Sequence, residues 1–183
     1  YEELPCASHG EFHIVMLHGQ IVRTGDGGGE KIPLKQLQNR GIDYLALGHE
    51  HAFRCEALDA RGLWAYAGCP EGRGFDECGQ KGYILLDTDA PIEKRVTFHP
   101  LAKRTLHLVE VDVTGCEGFG EIQERLLTAV EGIEASDMVK AVLTGALSPE
   151  VSYDTVHLAG LLGERFYFAR KCIPKLGCML ASG

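Results

Sequence analysis

The chain reads as an α/β protein: a layered α/β sandwich followed by a small β-α-β-α-β subdomain. Three observations carry that reading. Two apolar runs, residues 12–17 and 44–47, flank a short helical stretch, and strand, helix, strand in that order makes a unit with parallel strands. Residues 54–99 break into short strand-like segments separated by turn residues. After about residue 101, period-2 alternation and helical spacing take turns to the end of the readable pattern.

Residues 1–10 hold Pro5, Gly10 and polar neighbours and read as a linker. Residues 12–17, Phe-His-Ile-Val-Met-Leu, are almost continuously apolar, the pattern of a strand buried on both faces, and they end in His18-Gly19. Residues 24–30, Thr-Gly-Asp-Gly-Gly-Gly-Glu, form a flexible loop; a phosphate cradle needs the Gly-Lys-Ser/Thr ending that is absent. Pro33 suits the first position of a helix, so residues 34–40 form a short one that Gly41 stops. The strand at 44–47 then leads into Gly48-His49-Glu50-His51. Residues 54–58 and 63–67 flank Asp59-Ala60-Arg61-Gly62, a hairpin signal. Past an irregular loop at 68–77, residues 81–87 and 94–99 are two more strands turning at Asp89-Ala90-Pro91. This β-rich stretch reads as the second sheet of the sandwich, and residues 11–100 make the first domain.

The second domain spans residues 101–171. Residues 105–113 alternate as a strand, and Phe119, Ile122, Leu126, Leu127, Val130 and Ile133 recur at helical spacing. Residues 138–143 form a strand, Val156, Leu158, Leu161 and Leu162 mark a second helix, and 166–169 close the unit. Its apolar stripes are core, and it carries no catalytic motif. Residues 172–183 read as an irregular tail.

At 183 residues the chain can bury one sizeable core or two small ones. No run approaches the ~18 apolar residues of a membrane span. Tyr1-Glu2-Glu3-Leu4-Pro5 lacks the basic and apolar regions of a signal peptide. Seven cysteines without a Cys-x-x-Cys pair fit free thiols in the reducing cytoplasm. The net charge of −8 gives no basic platform for nucleic acid, so any attraction to DNA must come from metal ions, a local patch or a partner. The chain starts at Tyr1 rather than Met, and the expectation is a piece of a longer chain.

The site follows from the fold. Ligands of parallel α/β sheets gather off the carboxyl ends of the strands. His18 closes one strand, while His49 and His51 follow the other. One histidine at a strand end is more often a surface or hydrogen-bonded residue; three at neighbouring ends make a candidate metal site.

Four segments carry a resemblance: Met16-Leu17-His18-Gly19, then 43–51 (Asp-Tyr-Leu-Ala-Leu-Gly-His-Glu-His), then 66–77 (Tyr-Ala-Gly-Cys-Pro-Glu-Gly-Arg-Gly-Phe-Asp-Glu), then Lys81-Gly82-Tyr83. In order and spacing they resemble the later motifs of calcineurin-like metallophosphoesterases, and more narrowly of SbcD-type DNA repair exonucleases. The resemblance covers residues 12–87. It implies the C-terminal half of a metallophosphoesterase sandwich, with residues 101–171 as the DNA-facing capping subdomain. It also implies two-metal phosphodiester hydrolysis of DNA, usually with manganese; zinc and iron suit the same imidazole ligands. His18 and His49 would ligate one metal and His51 the other. The implied partner is an SbcC-like ATPase, docked through a segment after the cap.

The departures from the family pattern bear on activity. The family's earlier motifs, Asp-x-His, Gly-Asp and Gly-Asn-His-Asp/Glu, lie before the histidine that His18 matches. No aspartate precedes His18 here, and Asn39, the only asparagine, follows it. Three imidazoles without a bridging carboxylate do not hold two cations. The expectation is therefore the C-terminal part of such a nuclease, inactive alone. Its sheet edge needs the upstream half of the same protein, failing which it favours a homodimer or poor solubility. The alternative is a non-catalytic interaction module docking the ATPase. A mononuclear zinc hydrolase with Glu50 as base is disfavoured, because Glu50 sits between two ligands.

Overall fold

The computed structural model describes residues 10–22 and 30–178. The linker expected at 1–10, the glycine-rich loop at 24–30 and the end of the tail lie almost wholly outside those residues. The chain is mixed α/β. It divides into two compact units, Tyr1–Glu71 with Gln80–Ala102, and Gly72–Gly79 with Lys103–Gly183.

In the first unit the chain runs β1 (Ile14–His18), β2 (Gln20–Val22), β3 (Lys31–Pro33), α1 (Leu34–Leu37) and β4 (Tyr44–Gly48), then β5 (Arg54–Ala57) and β6 (Leu63–Tyr66). The main sheet has the order β1-β4-β6-β5. β1, β4 and β6 are parallel, and only the short hairpin partner β5 runs the other way. Strands β5 and β6 therefore extend the first sheet rather than starting a second one. β7 (Gly82–Leu86) and β8 (Val96–Pro100) form a separate antiparallel hairpin.

One face of the main sheet presents Leu45, Leu47, Trp64 and Tyr66, which pack with Ile32, Leu37, Ile42 and Leu58. Val15 and Leu17 of β1 join this core from the edge. The other face of β1 is open: Ile14 is 51% exposed and Met16 79%. An apolar run that reads as doubly buried is thus an edge strand with one buried face. Helix α1 is a single turn that ends at Leu37, short of the expected 34–40; Asn39 takes a left-handed φ of 58° and redirects the chain.

The end of the sheet away from the histidines is tied electrostatically. Asp43, just before β4, is buried and accepts from Arg61 Nη2 at 2.7 Å, Arg61 Nε at 3.0 Å and the His13 N–H at 3.0 Å. Arg95 Nη1 donates to the Asp43 and Arg61 carbonyls, which brings the segment leading into β8 against the β5–β6 turn. Phe98 of β8 stacks on Phe53 at 4.6 Å. The turn itself is closed by Asp59, whose Oδ1 accepts from the Arg61 and Gly62 N–H groups, as the Asp-x-x-Gly signal requires.

The second unit holds β9 (Leu106–Asp112), α2 (Phe119–Ala129), β10 (Met138–Leu147), α3 (Thr155–Arg165) and β11 (Phe168–Cys178). All three strands are parallel in the order β11-β10-β9, so each helix is a crossover between sheet neighbours. Val111, Val139, Ala141 and Leu143 meet Ile122 and Leu126 of α2 and Leu158 and Leu162 of α3 in one core. Asp154 caps α3 by accepting from the Val156 and His157 N–H groups. The stretch read as a tail from residue 172 instead continues β11 as far as Cys178. The passage 72–79 belongs to this unit: Gly79 bridges Leu106, and Phe75 stacks on Phe168.

Candidate metal centre

The parallel register sets the site. Ile14 to His18 pair in step with Tyr44 to Gly48, so His18 lies opposite Gly48 and one residue from His49. The ladder runs on by one bond, Gly19 N–H to the Gly48 carbonyl at 3.0 Å. Gly48 is there for space: a Cβ would come 2.8 Å from His18 Nδ1. The two imidazoles meet edge to face with centroids 5.6 Å apart, and both are exposed.

His49 holds a φ of 120°, a left-handed value that L side chains rarely adopt. Strain of about 1–3 kcal/mol at such a residue persists only where neighbouring structure enforces it, and it clusters at functional sites. The enforcement is visible two residues on. The His51 carbonyl accepts from Lys81 Nζ at 2.7 Å and lies 3.5 Å from Cys69 Sγ. Gly68, at φ +79°, leaves room for that carbonyl, which a Cβ would approach to 3.0 Å. The Gly-His-Glu-His loop is thus clamped through its backbone, with its side chains outward.

The turn after β1 is held as firmly. Tyr66 donates to the Gly19 carbonyl at 2.6 Å and accepts from the Ile21 N–H at 3.0 Å. Burial pushes its phenol pKa up, with the Ile21 N–H acting against that rise. Gly19 sits where a Cβ would collide with the Glu30 carbonyl. Glu30, at the mouth of β3, brings Oε2 to 3.8 Å from His49 Nδ1.

The structure brings His18 and His49 together. His51 is exposed on the same loop, and among the described residues no group of three or more His, Cys, Asp or Glu side chains is gathered tightly enough to hold an ion. Neutral imidazole donors suit manganese, zinc or iron, and the described residues bring two of them side by side, His18 and His49. Sequence reasoning missed Lys81, Tyr66 and Glu30. Lys81 and Tyr66 both stand in resembling segments, Lys-Gly-Tyr and 66–77, and were open to discovery, whereas the contact of Glu30 with the turn after β1 leaves no periodic trace.

No protein-family model matches the chain, and no curated protein matches it either. Among the described residues no helix is long and apolar enough to cross a membrane.

Proposed function

We propose that this chain is the C-terminal part of a metal-dependent DNA exonuclease of the SbcD-type metallophosphoesterase family. His18 and His49 would hold one divalent metal and His51 the other. The observation that carries the reading is the parallel β1–β4 register, which sets two imidazoles edge to face off adjoining strand ends beside a strained His49 backbone. Rigid strands with a clamped loop suit ligands that must keep their geometry through a reaction.

Bound metals in such a centre supply an activated water and neutralise the phosphodiester. This chain's residues contribute the rest. Neutral imidazoles bring no charge of their own, so the cations keep their full attraction for phosphate. Lys81 holds the loop of His49 and His51, and Tyr66 holds the turn after His18. The bridging carboxylate, the asparagine ligand and the histidine that assists the leaving group come from outside the described residues. Manganese is the preferred metal, DNA the substrate and an SbcC-like ATPase the partner. The second unit, β-α-β-α-β in order, is the capping subdomain in this reading.

The test is complementation. Supplied alone with Mn²⁺, the 183-residue chain leaves end-labelled duplex DNA uncut. Supplied with a separate polypeptide carrying the Asp-x-His, Gly-Asp and Gly-Asn-His-Asp/Glu motifs, it cuts, and His18→Ala or His49→Ala abolishes cutting. Cleavage that survives both substitutions overturns the proposal.

A further inference from the structure

Glu30 stands beside the imidazole pair by construction of the backbone. Its carbonyl accepts from the Gln20 N–H at 2.6 Å. Gln20 pairs with Lys31 across the short parallel ladder of β2 and β3. The absent Cβ of Gly19 lets that carbonyl close onto the turn. The Glu30 backbone is therefore fixed against His18-Gly19, and from there the carboxylate reaches 3.8 Å from His49 Nδ1. A separation of 3.8 Å is longer than a hydrogen bond; the Nδ1–H contact requires the exposed Glu30 side chain to move closer to the ring in solution.

We propose that Glu30 is a positioning residue that fixes the tautomer of His49, with Nδ1–H directed to the carboxylate and the Nε2 lone pair left for a metal. The proposal rests on the metal-ligand reading of His49. A ligating imidazole is oriented by what its other nitrogen donates to, and a carboxylate there also raises the basicity of the ligating nitrogen. His18 turns its Nδ1 edge toward Gly48. Glu50, although adjacent in sequence, follows His49 on the exposed outer side of the loop. Glu30 reaches the ring from the neighbouring ladder.

The test uses the 183-residue chain, metal-free, with ¹⁵N-labelled histidines near pH 8, where an ordinary imidazole is neutral. Long-range ¹H–¹⁵N correlations, assigned through His49→Ala, report the tautomer. The wild type is expected to show His49 as the Nδ1–H form. Glu30→Ala shifts it toward Nε2–H, and Glu30→Gln, whose amide oxygen still accepts, keeps part of the original form. Zinc affinity falls about 10- to 100-fold in Glu30→Ala and is partly rescued in Glu30→Gln. An Nε2–H His49 in the wild type, or a tautomer unmoved by Glu30→Ala, overturns the proposal. So does a glutamate that binds zinc directly, seen as lost zinc binding in Glu30→Gln with the Nδ1–H form intact. A wild type with the Nδ1–H form that binds no zinc refutes the metal reading and leaves the tautomer assignment standing.

Discussion

At the scale of single residues, the strain at His49 has a thermodynamic signature. Glycine tolerates a φ of 120° and alanine does not. His49→Gly is therefore expected to be more stable than His49→Ala by about 1 kcal/mol, read from urea unfolding midpoints; equal midpoints would show the backbone to be relaxed. Asp43 makes the complementary electrostatic case. Burial alone raises its pKa, but the Arg61 hydrogen bonds, the His13 N–H and the charges of Arg61 and Arg95 outweigh burial and hold the carboxyl below its usual range. A folded-state pKa below the unfolded one means that the folded protein binds the proton less readily. The stabilisation is complete above the unfolded value, about 4, and is lost as the pH falls below it. Asp43→Asn should cost about 3 kcal/mol at neutral pH, since it leaves Arg61 and Arg95 facing an uncharged side chain. It should also flatten the acid limb of a stability-against-pH curve. An unchanged acid limb would place the proton-linked unfolding elsewhere.

Among elements, β1 decides how the first sheet is built. The alternation of Val15 and Leu17 inward with Ile14 and Met16 outward is a normal period-2 strand. Because the outward positions are apolar too, the run carries no sequence signal that tells an edge strand from a central one. Leu17→Ala should cost about 2–4 kcal/mol in unfolding free energy. Met16→Lys should stay within about 0.5 kcal/mol and raise solubility by charging the open edge. If both cost the same, the outward face of β1 is covered in solution. The β1–β4 pairing and the histidines at its end were legible because a short helix between two apolar runs demands parallel strands. The brevity of α1 was read wrongly, because Gly41 was taken as the stop although Asn39, which also tolerates the left-handed conformation, turns the chain earlier. The extension of β11 to Cys178 was missed for a related reason: Pro174 and Gly177 read as breakers, yet β11 pairs on one side only, an edge where proline is tolerated.

For the whole molecule, the alternation of strands and helices after residue 101 was legible because each crossover helix carries its own apolar stripe. Assignment of the 72–79 passage to the second unit was not, because it rests on contacts distant in sequence, Phe75 with Phe168 and Gly79 with Leu106. Phe75→Ala is expected to lower hydrogen-exchange protection in β9, β10 and β11 while leaving β1, β4 and β6 unchanged; loss of protection in both sets would mean that the two units unfold together. A net charge of −8 works against binding a polyanion, so the proposed role on DNA needs attraction from the proposed cations, a local patch or a partner. The direct measurement is calorimetric titration of the 183-residue chain with Zn²⁺ and Mn²⁺, alongside His18→Ala, His49→Ala and His51→Ala. Saturable binding by the wild type, weakened at least about tenfold (1.4 kcal/mol) in His18→Ala and His49→Ala, is the predicted result. Affinity unchanged by both substitutions, or no binding by a folded wild type, would contradict it.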